Sequence, residues 1–211
     1  MPARSYGQFC AVARSLDVVG DRWSMLLVRE LLHGQKRYGD LLVDVPGIST
    51  DVLAARLRSL VEAGVVERDV LPAPAGSRVY RLTARGRQLE EVVDALARWG
   101  GELLTQRRPG DEVRPHWIVR ALRARMPSPP SGTDVVVRFE LPEGAHTVHL
   151  TEAGIVPAAD GAEVDVVVTG TAEDLAAMWD PAVAASLVGD GQVTVVGALH
   201  AVRQLERSIR G

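Results

Sequence analysis

Basic and hydroxyl side chains gather around one predicted helix in the first half of the sequence. Residues 50–63 carry apolar residues at helical spacing, and Ser49 can cap this helix at its N-terminus. Arg56 and Arg58 lie away from the leucines of the helix, so we expect them to face outward. Hydroxyl groups and free backbone N–H groups at a helix N-terminus suit a phosphate. The pattern fits a nucleic-acid interface, but it also fits the solvated face of an ordinary helical domain.

The predicted DNA contacts extend over two neighbouring elements, a short helix at 37–43 and a hairpin. A second phosphate could be bound where the short helix begins, and the sugar–phosphate backbone could lie along the hairpin. The predicted contact residues are Lys36, Arg37, Ser49, Thr50, Asp51, Arg56, Arg58 and Arg78. The residues of the helix 50–63 expected to pack inward are Leu53, Leu57, Leu60 and Val61.

Cys10 is the one cysteine of the chain, which excludes an internal disulfide and a cysteine-based zinc site. It lies near the start of a predicted helix, with Arg14 one turn further on, and both features lower the pKa of a thiol. Two interpretations follow. Cys10 is either a redox sensor or a small apolar residue buried in the core.

The elements that must position these side chains follow one another in a recognisable order. The predicted helices and strands are 10–19, 22–32, 37–43 and 50–63, strands 65–71 and 78–82, and a long helix 84–104. The turn Pro46-Gly47 lets the helix after it cross the preceding one and present its outer face to a major groove. Three helices followed by a hairpin is the order of a winged helix-turn-helix.

The charge of the chain divides near residue 108. Residues 1–108 hold 16 basic and 13 acidic residues, whereas 109–211 hold 8 and 14, so only the first part favours nucleic acid. We therefore predict two domains, 1–108 and 109–211. The apolar fraction of 46% excludes general disorder. Apolar runs are too short for a membrane span and no signal peptide is visible, so we expect a cytoplasmic protein.

The second half changes from helical periodicity to β-branched runs, which predicts an α+β domain. The predicted strands are 135–141, 147–151, 164–169 and 192–196, and the predicted helices are 116–125, one from 172, one from 181, and 198–209. No catalytic, phosphate-binding or metal-binding motif occurs, so we predict no enzyme activity, no cofactor and no metal. His146 and His149 fall three apart in a predicted strand and point to opposite faces.

The first half resembles the HxlR-type transcriptional regulators from about residue 8 to 105. The matching segments are Cys10-x-Val-Ala-x-x-Leu16-Asp-Val-Val-Gly-Asp-Arg-Trp23, Pro46-Gly47-Ile48-Ser49-x-x-x-Leu53-x-x-Arg56-Leu57-x-x-Leu60, Gly64-Val-Val-Glu-Arg68 and Val79-Tyr80-x-Leu82-Thr83-x-x-Gly86-x-x-Leu89. The resemblance implies a winged-helix repressor or activator that binds double-stranded DNA as a homodimer. The first helix and the long helix 84–104 would supply the dimer contact. The resemblance also implies that Cys10 occupies a position that senses oxidants in some members. Ala55 stands where members often carry a polar residue, so one base contact is either absent or taken over by Arg56 or Arg58.

The second half resembles the sterol-carrier-protein-like fold, most clearly from residue 164 onward. The matching segments are Asp165-Val-Val-Val-Thr-Gly170, Thr171-x-x-Asp174-Leu175-x-x-Met178-Trp179 and Gly189-x-Gly191-x-Val193-x-Val-x-Gly197. The resemblance implies a five-stranded sheet with helices on one side and an apolar tunnel for a small-molecule effector. The candidate pocket residues are Trp117, Phe139, Met178 and Trp179. The alternative is a packing or dimerisation module whose core is filled.

The sequence therefore supports a DNA-binding regulator that is homodimeric and controlled by an apolar small molecule or by thiol oxidation. The alternative is a carrier of hydrophobic ligands, or an assembly module, whose winged helix contacts other proteins. A steep salt dependence of DNA binding distinguishes the two.

Overall fold

The computed structural model describes residues 5–72, 76–104, 107–126, 128–178 and 180–210. The chain forms two compact units, Met1–Val93 and Asp94–Gly211. This division falls earlier than the predicted one after residue 108, inside a helix that both units share along the chain. Within the described residues, no helix has the length and apolar character needed to cross a membrane.

The first unit contains the predicted helices and hairpin in the predicted order. Its elements are α1 (Ala11–Val19), α2 (Ser24–Leu31), α3 (Tyr38–Asp44), α4 (Thr50–Glu62), β1 (Val66–Val70), β2 (Arg78–Leu82) and α5 (Ala84–Arg87), followed by α6 (Glu90–Gly100). Strands β1 and β2 pair in antiparallel fashion, and Lys36 forms an isolated antiparallel bridge with Tyr80 on the other edge of β2. The segment between α2 and α3 is thereby fixed to the hairpin.

The predicted continuous helix 84–104 is wrong. It breaks after α5, because Gln88 and Leu89 donate to carbonyls only three residues back, and α6 ends in a 3-10 turn at Gly101–Leu103. Gly86 lies so close to β1 that a β-carbon there would come within 2.1 Å of the Val65 carbonyl oxygen. Packing of α5 against the start of β1 thus stops the first helix, and Gly100 and Gly101 weaken the end of the second.

The core of the first unit is built on leucines from three helices and the hairpin. Leu53, Leu57 and Leu60 of α4 are completely or almost completely buried, as predicted. Leu27 and Leu41 from α2 and α3 are buried in the same cluster. Burial of each leucine contributes roughly 1.5–3 kcal/mol, so this core fixes which face of α4 remains outside.

The second unit is an α+β domain, as predicted. Its elements are α7 (Pro115–Arg125), β3 (Asp134–Leu141), β4 (Gly144–Thr151), β5 (Gly154–Pro157), β6 (Val166–Thr169), α8 (Ala172–Ala177), α9 (Pro181–Gly189), β7 (Thr194–Gly197) and α10 (Leu199–Arg210). The five strands lie in the order β5-β4-β3-β6-β7, with β3 and β6 parallel and the other pairs antiparallel. The sequence did not predict β5, which has four residues.

One face of this sheet carries the core of the second unit. Val135, Val137 and Phe139 alternate in β3 as buried residues, and their neighbours Val136 and Arg138 on the other face are half-buried. Residues of α7, α8 and α10 belong to the same buried cluster as the β3 residues. The helices therefore cover the buried face of the sheet.

Candidate nucleic-acid interface

Helix α4 is held at its N-terminus by two contacts. The Ser49 hydroxyl accepts a hydrogen bond from the Val52 N–H at 3.4 Å, which is the predicted cap. The Tyr38 hydroxyl of α3 donates to the Thr50 carbonyl at 2.6 Å. Gly47 has φ +80, a conformation that favours glycine, so the Pro46-Gly47 turn leads from α3 into α4 as predicted.

The outward face of α4 carries four of the predicted contact residues. Ser49, Thr50, Asp51 and Arg58 are all exposed. Among the residues that the structure describes, no carboxylate forms an ion pair with Arg58, whereas the adjacent Leu57 is buried. Arg58 is therefore a cation directed outward from a helix whose other face is fixed in the core.

Arg56 lies on the flank of α4 and contacts the protein itself. Its Nη1 atom is 3.5 Å from Asp21 Oδ2, at the start of α2. Burial raises the pKa of the Asp21 carboxyl, but hydrogen bonds from Ser24 and the Trp23 N–H and the charge of Arg56 outweigh it, so the net pKa is lowered. Asp21 therefore stays ionised and holds Arg56 beside α2, which the sequence did not predict.

Lys36, predicted to contact a phosphate, has acidic partners within the first unit. Its ammonium lies 2.5 Å from Asp44 Oδ2 and 3.9 Å from Glu30 Oε2, and the Glu30 side chain is fully buried. Arg29 provides a second cation for Glu30 at 2.8 Å. Lys36 thus neutralises acidic groups within the first unit and, through its backbone bridge to Tyr80, holds the hairpin. These contacts give Lys36 a structural role, and its contact with a phosphate stays a prediction.

The two remaining predicted cations, Arg37 and Arg78, lie before α3 and at the start of β2. Arg37 precedes α3, where its backbone N–H donates to Asp40 Oδ2 at 3.0 Å and its side chain is exposed. Arg78 begins β2 opposite Val70 and is exposed. The predicted hairpin tip includes residues 73–75, which lie outside the described residues. Arg37, Arg58 and Arg78 therefore give one unit three exposed cations on the predicted recognition elements.

Comparison with known proteins agrees with this arrangement. The model of the HxlR-like helix-turn-helix family matches residues 18–108. The HTH-type transcriptional regulator sll1512 of Synechocystis sp. is 40% identical over 105 residues, which are 50% of this chain and 78% of that protein. The regulator YodB of Bacillus subtilis is 33% identical over 47% of this chain and 86% of its own length. The chain belongs to the HxlR-like helix-turn-helix family.

This HxlR-family protein is accordingly a DNA-binding transcriptional regulator, and the winged helix-turn-helix predicted for its first half is confirmed. It is also similar to the solved structure of the redox regulator HypR in its oxidized form. That similarity has 32% identity, covers 46% of this chain and 99% of the other chain, and has a TM-score of 0.42. The sterol-carrier-protein-like character of the second half stays a prediction.

Cys10 of this HxlR-family protein is exposed at the N-terminus of α1. The backbone N–H groups of Ala13 and Val12 lower the pKa of its thiol. The interpretation of Cys10 as a buried apolar residue is therefore wrong for the folded chain. The other interpretation, a redox sensor, stays a prediction with a local cause for thiolate formation.

The structure describes three of the four residues predicted to line an apolar pocket in the second unit. Phe139 and Met178 are buried in one cluster of the second unit, Trp117 is half-buried, and Trp179 lies outside the described residues. A pocket of about 150 Å³ lies elsewhere, between the C-terminal end of α7 and the β4–β5 turn. Its lining residues are Arg123, Met126, Ser128, Pro129, Ala153, Gly154 and Ile155.

Two histidines that are distant in the sequence lie close together in the structure. The rings of His116, at the start of α7, and His146, on the covered face of β4, have centroids 6.0 Å apart. Burial, and then the nearby His116, lower the pKa of His146. Within the described part of the chain, no three His, Cys, Asp or Glu residues group as metal ligands.

From the lowered pKa of His146 we expect the stability of the second unit to depend on acid. Below a pH of about 6.5, the usual histidine pKa, the unfolded chain binds a proton that the folded chain resists. The contribution of neutral His146 to the free energy of unfolding should therefore be complete at neutral pH and fall as the pH drops below about 6.5. Urea unfolding of the full chain at pH 7.5 and 5.5 measures this loss.

We expect His146→Gln to reduce the loss, and His200→Gln, at an exposed site in α10, to leave it unchanged. An equal loss in His146→Gln would assign the acid sensitivity to other groups.

Proposed function

We propose that this regulator binds duplex DNA as a homodimer, with α4 in the major groove and the β1–β2 hairpin along the backbone. The observation that carries the proposal is the position of Arg58, which is exposed on α4 directly beside the buried Leu57. Arg37 and Arg78 are exposed on the flanking elements, and in the proposed complex they contact phosphates. The exposed hydroxyl groups of Ser49 and Thr50 stand at the helix N-terminus, where backbone N–H groups favour an anion.

Exposed apolar side chains support the homodimer. On α1, Val12 and Leu16 lie four residues apart and face solvent. On α6, Val92, Leu96 and Trp99 follow at helical spacing, and Trp99 is 76% exposed. Such rows of large apolar residues on a protomer mark protein interfaces. A second copy of the chain is the occupant implied by the family, since α1 and the helix after the hairpin are the elements expected to pair.

The dependence of DNA affinity on salt tests the proposal. A protein that neutralises several phosphates should lose affinity linearly on a log–log plot, with a slope of about −0.9 for each phosphate contacted. Three exposed cations in each protomer of a dimer predict a steep slope. We expect a steep fall in affinity between about 50 and about 200 mM salt. Fluorescence anisotropy with a duplex selected from a random pool measures it. A flat dependence would favour the alternative in which the winged helix contacts proteins.

We also propose that oxidation of Cys10 controls DNA binding. Diamide takes two electrons from two thiols and joins them as a disulfide. Because each chain has one cysteine, the second thiol must come from another protomer or from a small thiol. Cys10 precedes α1, one of the two elements with an exposed apolar row, so a disulfide there would change how copies pair.

The substitution Cys10→Ser should therefore leave DNA affinity unchanged and abolish its response to diamide. Wild-type protein should change its affinity after diamide and recover after dithiothreitol, because the disulfide is reducible. Anisotropy titrations before and after each treatment measure both effects. Wild-type affinity that ignores diamide would leave Cys10 without a regulatory role.

The apolar effector is the finer part of the proposal. The five-stranded sheet with helices over one face supports a sterol-carrier-protein-like domain. Phe139 and Met178 are packed in its core, so a ligand would have to displace them. A rise in melting temperature together with altered DNA affinity in the presence of a long-chain or isoprenoid compound would support it, and the lack of both would favour a packing module.

A further inference from the structure

A buried ion pair joins α6 and α7 within the second unit. Arg120 Nη1 donates to Asp94 Oδ1 at 2.9 Å, and the two side chains are 5% and 13% exposed. Arg123 Nη2 lies 3.6 Å from the other carboxylate oxygen. Removing one partner of such a pair leaves the other charge buried and uncompensated, which is strongly unfavourable. The pair therefore makes the position of α7 against α6 specific.

A second contact repeats the first one turn further along both helices. Arg98 Nη1 donates to the Ala124 carbonyl at 3.1 Å. Asp94 and Arg98 are four residues apart on α6, as Arg120 and Ala124 are on α7, so each pair shares one helix face. Both contacts join residues separated by 26 positions. The two helices consequently run in the same direction in a single register.

The two contacts connect surfaces with different functions. On its other side α7 buries Ile118, Val119 and Leu122 in the sheet core of the second unit. The α6 helix exposes Leu96 and Trp99, the row assigned above to the homodimer. The register of α7 on α6 therefore decides how this row is oriented with respect to the sheet.

We infer that Asp94, Arg98 and Arg120 are positioning residues for DNA binding. They hold the α6 segment that carries Leu96 and Trp99 against α7, so a change in this contact would change the surface through which two copies pair. A dimer reads two half-sites only at one spacing. Loss of the register should therefore weaken DNA binding while each protomer remains folded. The inference rests on the proposed function and adds the residues through which the second unit acts on it.

The variants Arg120→Met and Asp94→Asn in the full chain test the inference. Arg120→Met keeps the aliphatic part of the side chain and removes the charge. We expect each variant to weaken binding to the selected duplex at least fivefold, and to raise the dimer dissociation constant, at a temperature where circular dichroism shows a folded protein. Arg120→Lys restores a cation and should bind within twofold of wild type. The matched control is Arg138→Met, which removes a half-buried pair with Glu140 in the same unit, and it should change neither constant.

Affinity and dimerisation of Arg120→Met within twofold of wild type would overturn the inference, because the pair would then only stabilise the second unit. If Arg120→Met does not fold, Arg98→Gln replaces it, since that change removes only the hydrogen bond to the Ala124 carbonyl. We expect at least a twofold loss of DNA affinity, and an unchanged value would equally overturn the inference.

Failure of the wild-type protein to bind DNA would instead contradict the proposed function. The dimer dissociation constant would in that case still test the role of the ion pair.

Discussion

Replacement of Arg58 by alanine should weaken binding to the operator by roughly 1–3 kcal/mol, about 5-fold to 150-fold. The guanidinium is exposed on the outward face of α4 and forms no ion pair among the residues described, so DNA would be its main partner. A bidentate contact with a guanine edge accounts for an effect of this size. The melting temperature should hardly change, because Arg58 supports no packing in the core. Anisotropy titrations against the selected duplex, and against a duplex with scrambled sequence, separate a base contact from a phosphate contact.

Arg56 provides the contrast to Arg58 on the same helix. Because Arg56 is paired with Asp21, Arg56→Ala should cost less DNA affinity than Arg58→Ala and more thermal stability. It leaves the half-buried Asp21 without its cation. If Arg58→Ala binds the selected duplex as tightly as wild type, Arg58 is excluded from the interface. If Arg56→Ala shows the larger loss of affinity, the reading of bases lies on the flank of α4 instead.

The parts of the interface that could be predicted from the sequence depend on local patterns. The leucine spacing of α4 and the Ser49 cap are properties of consecutive residues, and the structure contains both. The outward direction of Arg58 follows from the same spacing. Helical periodicity therefore sufficed to find the helix and its exposed face.

The roles of Arg56 and Lys36 could not be predicted in this way. The partner of Arg56 is Asp21, which precedes α2, and the partners of Lys36 are Asp44 at the end of α3 and Glu30 of α2. Periodicity within one helix holds no information about which charge another element presents. One oxygen of Asp21 accepts from the Trp23 and Ser24 N–H groups at the start of α2, and its second oxygen faces Arg56 of another helix. Contacts between elements decide whether an arginine is available to DNA.

The broken helix after the hairpin shows the same limit. Residues 84–104 contain enough helix-forming residues for one helix, yet the close approach of Gly86 to the Val65 carbonyl ends the first segment early. The juxtaposition of His116 and His146 likewise required α7 to cross β4. Propensity is a weak prior wherever packing between elements competes with it.

Replacement of Trp99 by glutamate should convert the dimer into a monomer and produce the largest loss of DNA binding. Trp99 is 76% exposed on the protomer, in line with Leu96 and Val92 on α6. Tryptophan is enriched among residues that dominate interface energies, typically by 2 kcal/mol or more, and glutamate would bring an unpaired charge there. We therefore expect the dimer dissociation constant to rise at least about 100-fold. Sedimentation equilibrium measures this change.

Loss of the dimer should in turn weaken DNA binding about 100-fold or more, because two linked half-sites bind with an avidity that one protomer lacks. The matched control is Leu199→Glu, which places the same charge on another exposed apolar residue, at the start of α10. We expect Leu199→Glu to leave both constants unchanged, since it lies outside the rows of α1 and α6. A Trp99→Glu protein that still dimerises and binds DNA normally would exclude the α6 row from the interface. The row of Val12 and Leu16 on α1 would then have to supply the dimer contact alone, and the positioning role of Asp94 and Arg120 would lose its basis.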